Sequence, residues 1–451
     1  MLDSTKYNLR EKVLKCVQEG TNELSRKTDH LEQRLDETSN TLVNKLNDTI
    51  FTINEHLAEK EYLSSEYILD SFYALNQNKP RVLICGYYGA QNLGDELMLQ
   101  SILKILDSQR FDITIMLAAN AELDASIYSP YKVLHYPTKS NDILLLSNNY
   151  DFIIWGGGAV LDDEYYDFNY LNVPLAYILL KLSIAAIKNG KKVYVLGVST
   201  NKIFNNDVFI KDLSEVIEQS TFFSLRDTNS LKTIRQSGIK TSKIKIIDDL
   251  VISDFPKFKP SLSKNLINIG IVYIFNDTDF FALESFTKTV ANKFIKDFPD
   301  KQIQLTFIPF YNQGNEDYIN FQKIVAKIPQ NKNLALIIKN FPENIDELTR
   351  IYSTCNYIIS MRYHATLISS LCKIKTLSIN YGDEHRHYFN KIQYIKEHYT
   401  PFAEIPSVQI SNKIATRSAL QEMITLSNYE VNPNVFNSAK QQLVDIIKSI
   451  N

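Results

Sequence analysis

Ile359-Ser360-Met361-Arg362-Tyr363-His364-Ala365-Thr366 is the stretch from which the fold is read. The apolar run Tyr357-Ile358-Ile359 before it predicts a buried strand, and 365–372 predicts a helix starting at once after it. An arginine and a histidine two residues apart therefore occupy a strand-to-helix turn. In parallel α/β sheets that turn lies at the C-terminal edge, where ligands bind. Such a pair can hold an anion and move a proton. It can equally be an arginine on a surface turn and a histidine capping a helix, and the local pattern leaves both readings open.

Working outward, strand-like runs at 81–85, 113–116, 152–155, 192–196, 222–225 and 244–247 alternate with helical segments at 93–106, 173–188 and 213–219. Alternation of this kind predicts a parallel sheet covered by helices. The pattern breaks at Phe255-Pro-Lys-Phe-Lys-Pro-Ser, a linker-like stretch within 254–263. It restarts with runs at 267–275, 304–308, 334–338, 357–359 and 375–379. The expected architecture is α/β: two Rossmann-like domains, 79–258 and 264–405, facing one another across a cleft, with a helical tail at 406–451.

Residues 1–78 have a different texture, with one glycine, no proline and many Glu, Lys, Asn and Thr. Leu2, Val13, Leu24, Leu35, Leu46, Leu57 and Ile68 recur every eleven residues, and Leu9, Leu31, Leu42 and Ile53 form a second row. That period, about 3.67 residues per turn, keeps an apolar stripe on one side of a long helix. So narrow a stripe needs a partner, and a coiled-coil-like homo-oligomer is the expectation. Both signs of charge on the polar face argue against a membrane-surface helix.

Composition narrows the function classes. A chain of 451 residues, 44% apolar with a net charge of −2, has core enough for more than one domain and no general reason to bind nucleic acid. Four widely spaced cysteines form no CxxC pair, so neither a disulfide framework nor a zinc site is expected. The N-terminus is too polar for a signal peptide, and the most apolar segment, 174–187, is interrupted by Lys181. The expected setting is cytoplasmic, with peripheral association at the inner face of a membrane compatible with it.

Further candidates follow other strands. Gly86-Tyr87-Tyr88-Gly89-Ala90-Gln91-Asn92-Leu93-Gly94-Asp95-Glu96 opens a helix after the first strand. Its glycines allow backbone N–H groups close to a ligand, with Gly89 and Asn92 the cradle candidates. Asp95 can accept a proton or sugar hydroxyls, or simply serve the helix start. In Trp155-Gly156-Gly157-Gly158, Gly157 and Gly158 suggest backbone lying close to a ligand, or a tight turn. Gly197-Val198-Ser199-Thr200 follows a strand in the same way. Arg226 stands at another strand end, suited to a carboxylate or phosphate, or to an ion pair. Tyr381-Gly382-Asp383-Glu384-His385-Arg386-His387 follows the last clear strand, and its consecutive acids and histidines do not have metal-ligand spacing.

Taken in order, Gly86-x-x-Gly89-x-x-Asn92-x-Gly94-Asp95-Glu96, Gly156-Gly157-Gly158, Ser224-x-Arg226-x-x-x-Ser230 and Arg362-x-His364-Ala365 resemble the polysaccharide pyruvyltransferase family. The resemblance covers about residues 81 to 390. It implies a GT-B-like pair of domains and transfer of a pyruvyl group from phosphoenolpyruvate, as co-substrate, to hydroxyls of a cell-envelope glycan or lipid-linked sugar, commonly as a ketal. No further cofactor or metal is implied. Arg226 and Arg362 would grip the carboxylate and phosphate of the donor. Matching to the arginine-x-histidine motif makes His364 the acid, although a helix N-terminus disfavours imidazolium, so the anionic donor would have to restore its charge. Asp95 is assigned the base.

One departure concerns the donor. Where the family often has a lysine three positions after a tyrosine, Tyr381 is followed by Glu384. Either His385 or Arg386 takes over that contact, or the donor differs in this branch. Two other readings compete: a glycosyltransferase using a nucleotide-activated sugar, and a non-catalytic scaffold that binds glycans.

Overall fold

A computed structural model gives the fold. It describes residues 79–106, 109–117, 128–137, 139–163, 166, 174–200, 202–275, 280–380, 405–409, 413–428, 431 and 434–449, with positions 18, 21, 27, 38, 67 and 69–71 before them. The eleven-residue repeat, the segment holding Glu384, His385 and Arg386, and the expectations placed on them lie outside the described residues, apart from those isolated positions.

Among the described residues the first sheet holds seven strands: β1 (Arg81–Cys85), β2 (Asp112–Leu117), β3 (Lys132–His135), β4 (Phe152–Leu161), β5 (Lys192–Thr200), β6 (Phe222–Leu225) and β7 (Ile244–Ile246). The second holds six: β8 (Leu266–Val272), β9 (Gln302–Phe307), β10 (Leu334–Ile338), β11 (Tyr357–Ser360), β12 (Lys375–Asn380) and β13 (Ser407–Gln409). Strand orders are β3-β2-β1-β4-β5-β6-β7 and β10-β9-β8-β11-β12-β13, and every pairing is parallel. Each order reverses direction once, between β1 and β4 and between β8 and β11. Those two switch points are where doubly wound sheets open a crevice beyond the strand ends.

From β1 onward the α-helices among the described residues are, in chain order, α1 (Leu93–Leu103), α2 (Ser140–Asn149), α3 (Leu175–Lys188), α4 (Asp207–Gln219), α5 (Thr228–Gln236) and α6 (Phe280–Asp297). They continue with α7 (Glu316–Val325), α8 (Ile345–Ser353), α9 (Tyr363–Leu371), α10 (Lys413–Thr425) and α11 (Asn434–Lys448). No helix among the described residues is long and apolar enough to cross a membrane.

Helix α1 explains how the domains are joined. Leu93, Leu97, Met98, Leu99 and Ile102 leave it no polar stripe, because nearly all its faces are buried. An apolar helix of this kind belongs in an interior. One core cluster runs from α1 through Val251 of the first domain to Ile308, Phe310, Leu348 and Ile368 of the second. Burying each such side chain contributes on the order of 1.5–3 kcal/mol, so the domain boundary is held by a shared core. Backbone bonds reinforce it: Leu93 N–H donates to the Phe310 carbonyl at 2.9 Å and Asn312 N–H to the Gln91 carbonyl at 3.1 Å.

Several segments differ from their sequence-based reading. Strand β4 runs on through Gly156-Gly157-Gly158 to Leu161, and β5 through Gly197 to Thr200, so these glycines sit within strands and not in turns after them. Strand β13 pairs with β12, and α10 packs Leu420 and Met423 into the second domain's core. That domain therefore extends past the expected end at 405 into the segment read as tail. The final helix crosses back: Leu443, Ile446 and Ile447 of α11 join Tyr194, Ile247 and Leu250 of the first domain. The Tyr194 hydroxyl donates to the Ser449 carbonyl at 3.1 Å.

Just ahead of β1, Asp70 anchors a helical segment to the sheet. It accepts from Arg81 Nη2 at 2.6 Å and pairs with Lys132, while Arg81 Nε donates to Asp112 at 3.0 Å. Cys85, Cys355 and Cys372 are buried free thiols.

Candidate active site

Arg226 follows β6 and is almost fully buried. Its Nη1 donates to Asp249 Oδ2 at 3.1 Å and lies 3.4 Å from His364 Nε2, and its guanidinium stacks 4.3 Å from the Tyr363 ring centroid. Its Nε is buried with no hydrogen-bond partner among the described residues. An orphaned buried donor costs roughly 1–3 kcal/mol, which a native site tolerates where a ligand or water meets it.

The serines flanking Arg226 in its motif do structural work. The Ser224 hydroxyl donates to the Val195 carbonyl and accepts from Gly197 N–H, fixing the irregular β5–β6 register. Asp227 caps α5 by accepting from Ser230 N–H at 2.6 Å, and the Ser230 hydroxyl accepts from Thr200 N–H at 3.1 Å. Together they hold the strand end from which Arg226 projects.

Across the domain boundary, Arg362 occupies the N-cap position of α9 and His364 its first turn. The Ser360 hydroxyl fixes that turn by accepting from Arg362 N–H at 3.1 Å and donating to its carbonyl at 3.0 Å. Arg362 Nε donates to the Tyr273 carbonyl at 3.3 Å, and Nη2 lies 3.4 Å from Asp317 Oδ1. Asp317 in turn accepts from the N–H groups of Phe310 and Tyr311, each at 2.8 Å. Burial pushes the Asp317 carboxyl up, against the lowering pull of Arg362 and those two amides.

His364 meets the first domain at two places. Its Nε2 lies 3.3 Å from Asp249 Oδ2, and its ring packs on Gly94, where a Cβ would fall 2.1 Å from Nδ1. Asp249 caps the 3-10 turn Leu250–Asp254, accepting from Val251 N–H at 3.1 Å. Burial alone would raise its carboxyl, but His364 and Arg226 outweigh burial and hold it well below the usual carboxylate range. Asp249 and Arg226 come from one domain and His364 from the other, so the cluster exists only when the domains are together.

The loop after β1 is shaped largely by its own side chains. Glu96 is buried and folds back, accepting from Gly89 N–H at 2.9 Å and from the Tyr128 hydroxyl at 2.7 Å. Burial raises its carboxyl to about 7, against the lowering effect of Tyr128, Gly89 and Gln91. The Gly89 N–H is thus directed at Glu96 and Tyr128. The Tyr88 hydroxyl donates to the Gly156 carbonyl, and a Cβ on Gly156 would lie 1.7 Å from it. Gly157 and Gly158 have φ of +84° and +92°, where a side chain is strained. A Cβ on Gly158 would stand 3.0 Å from Asp95 Oδ1. The glycine triplet therefore makes room for Tyr88, Met98 and Asp95.

Asp95 also lines a cleft of about 340 Å³ with Tyr87, Asn92, Ala159, Val160, Asp162 and Pro174. The structure thus brings Asp95, Arg362 and His364 to the facing switch points and Arg226, from the end of β6, up to His364, with Asn92 and Gly158 beside Asp95. Asp249, Asp317 and Tyr363 join the site although the sequence did not single them out. The one signal for Asp249 was an acid following yet another strand run.

Such features define a two-domain, parallel-sheet α/β protein whose domain boundary gathers two arginines, a histidine and their partner carboxylates. The profile of the family described as polysaccharide pyruvyl transferase matches residues 92–383. The chain belongs to that family, a family of transferases. No curated protein matches the chain. Among solved structures, UDP-GlcNAc 2-epimerase from Methanocaldococcus jannaschii is similar at 12% identity and TM-score 0.52, covering 82% of this chain and 99% of its own. A proposed UDP-N-acetylglucosamine 2-epimerase from Listeria monocytogenes is similar at 9% identity and TM-score 0.51, covering 82% and 96%. At these identities the likeness shows the GT-B-like fold alone.

Proposed function

We propose that the chain transfers the pyruvyl group of phosphoenolpyruvate to hydroxyls of a cell-envelope glycan or glycolipid precursor, closing a ketal and releasing phosphate. The observation that carries this reading is the convergence of Arg226, Arg362 and His364 from two domains on one boundary, in a chain of this family. Phosphoenolpyruvate presents a carboxylate and a phosphate. Arg226 and Arg362 are the groups to receive them, and the orphaned Nε of Arg226 is one donor without a protein partner among the described residues.

The steps follow from that placement. His364 gives its proton to the methylene carbon, and the adjacent carbon becomes electrophilic. An acceptor hydroxyl in the cleft lined by Asp95 attacks that carbon and loses its proton to Asp95. The carbon–oxygen bond to phosphate then breaks, phosphate leaves carrying the proton that Asp95 took, and a second hydroxyl closes the ketal while its proton returns to His364. The acid and base end as they began, and the scheme uses no metal or cofactor. A charge count shows what the donor asks for: Arg226 and Arg362 are each already partnered by a carboxylate, Asp249 and Asp317. An anion therefore competes with those pairs for both guanidinium groups.

Calorimetry with phosphoenolpyruvate, then phosphate release and acceptor mass with a panel of envelope-type glycans, tests the reading. Binding should occur and should fall at least about tenfold in Arg362→Ala, the equivalent of ~1.4 kcal/mol. Phosphate release should vanish in His364→Ala. Absence of phosphoenolpyruvate binding overturns the reading, and turnover with nucleotide-activated sugars in its place moves the glycosyltransferase reading ahead.

A further inference from the structure

We propose that Asp317 is a positioning residue that ties the two halves of the site together. Its carboxylate fixes the junction between the domains with short bonds and holds Arg362 with long ones, so an anion draws the guanidinium away while the junction stays in place. That the anion is the donor phosphoenolpyruvate rests on the function proposed above; the two kinds of bond and their consequence do not.

The short bonds run toward the first domain. Asp317, the second residue of α7, is almost fully buried. Its Oδ2 accepts from Phe310 N–H and Tyr311 N–H, each at 2.8 Å. The Phe310 carbonyl accepts from Leu93 N–H at 2.9 Å, and Asn312 N–H donates to the Gln91 carbonyl at 3.1 Å. Between these bonds Tyr311 pairs antiparallel with Asn92. The Asn92 carbonyl in turn accepts from Asp95 N–H at 3.0 Å and Glu96 N–H at 3.1 Å in the first turn of α1. A continuous run of ordinary hydrogen bonds thus leads from Asp317 to the backbone of Asp95.

The long bonds run toward Arg362. Its Nη2 lies 3.4 Å from Oδ1 and 3.5 Å from Oδ2, where charge-assisted bonds normally measure about 2.7–2.9 Å. Its Nε reaches the Tyr273 carbonyl at 3.3 Å, and its Cζ stands 5.8 Å from the Tyr311 ring centroid. The Arg362 side chain is 16% exposed against 2% for that of Asp317, so the arginine is the partner with room to move. An incoming carboxylate or phosphate offers it two shorter bonds, and only the long pair is given up. Asp317 cannot follow, because two amides and its burial hold it. Its charge still faces the anion, so the carboxylate that orders the junction also limits how tightly the anion binds.

The test compares Asp317→Asn and Asp317→Ala with the wild type in the full chain, by calorimetry with inorganic phosphate and by backbone hydrogen exchange. Asparagine accepts from both amides through one oxygen but carries no charge. That variant should bind phosphate at least about fivefold more tightly than the wild type, with exchange at Leu93 and Asn312 unchanged. A residue that served structure alone would leave phosphate affinity unchanged or lower it. Alanine removes the acceptor, and exchange at Leu93 and Asn312 should quicken by about tenfold. Equal or weaker phosphate binding in Asp317→Asn, including none in either protein, overturns the proposal, and so does unchanged exchange in Asp317→Ala. If either variant fails to fold, Arg362→Gln decides: exchange at Leu93 and Asn312 should stay at the wild-type rate, and faster exchange there overturns the proposal. Phosphoenolpyruvate and glycan are absent throughout, so a failed transfer assay leaves this result standing, and the converse also holds.

Discussion

Replacing Gly94 by alanine separates a local rule from a tertiary one. Gly94 is helical, at the second position of α1. In an isolated helix alanine would be the better residue by about 0.8–1 kcal/mol. Here the added Cβ would lie 2.1 Å from Nδ1 of His364, with the ring's Cγ at 2.8 Å, against the 3.4 Å at which ordinary contact begins. The imidazole, or the domain carrying it, must retreat by more than ~1 Å. Overpacking of this size costs about 1–3 kcal/mol, which cancels the helical gain and leaves a net loss of up to about 2 kcal/mol. The retreat also lengthens the contacts of His364 with Asp249 and Arg226, now 3.3 and 3.4 Å. A misplacement of about 1 Å in a reacting group costs on the order of 100-fold in turnover. Urea unfolding and phosphate release measured side by side read both effects. A variant about 1 kcal/mol more stable with undiminished turnover would show that the domains do not meet as described, and would refute the reasoning.

Two further perturbations probe the frame around the site. Glu96, raised to about 7 in the folded chain from an ordinary 4.5, keeps a proton that the unfolded chain has lost. Stability should therefore fall as pH rises from about 4.5 to 7, by up to ~3 kcal/mol from this group, and Glu96→Gln should flatten that slope in thermal melts taken across the window. A slope unchanged by the substitution would mean that Glu96 is ionised throughout. Leu443→Ala removes a buried side chain with which α11 packs against the first domain, and should cost about 2–5 kcal/mol in chemical unfolding. A loss below about 1 kcal/mol would show that α11 does not contribute to that core.

Much of this was legible in the chain because it is local. Short apolar runs followed at once by helical segments mark parallel strands, and the residues just after each run fall at the ligand-binding edge. That rule alone placed Arg226, Arg362 and His364 together at strand ends. Where the local signal is weak, the reading failed in a matching way. Strand β13 has three residues, Ser407-Val408-Gln409, too few to show a period. The glycines after the runs at 152–155 and 192–196 read as lying past the strand end, close to a ligand or in a tight turn, whereas both strands run on through them, and in β4 Tyr88, Met98 and Asp95 pack against Gly156, Gly157 and Gly158.

Sequence by itself determined two Rossmann-like domains and the arginine and histidine at their facing edges, because strand periodicity and strand ends are written in neighbouring residues. Only the tertiary structure decided which side chains complete the site. Asp249 and His364 are brought within 3.3 Å, and Gly94 beneath the imidazole, by a hydrophobic core shared between the domains. A carboxylate after a strand carries no local mark of the histidine it will meet. The apolar faces of α1 and α9 settle that encounter, because burying them together fixes where the polar groups on either side must lie.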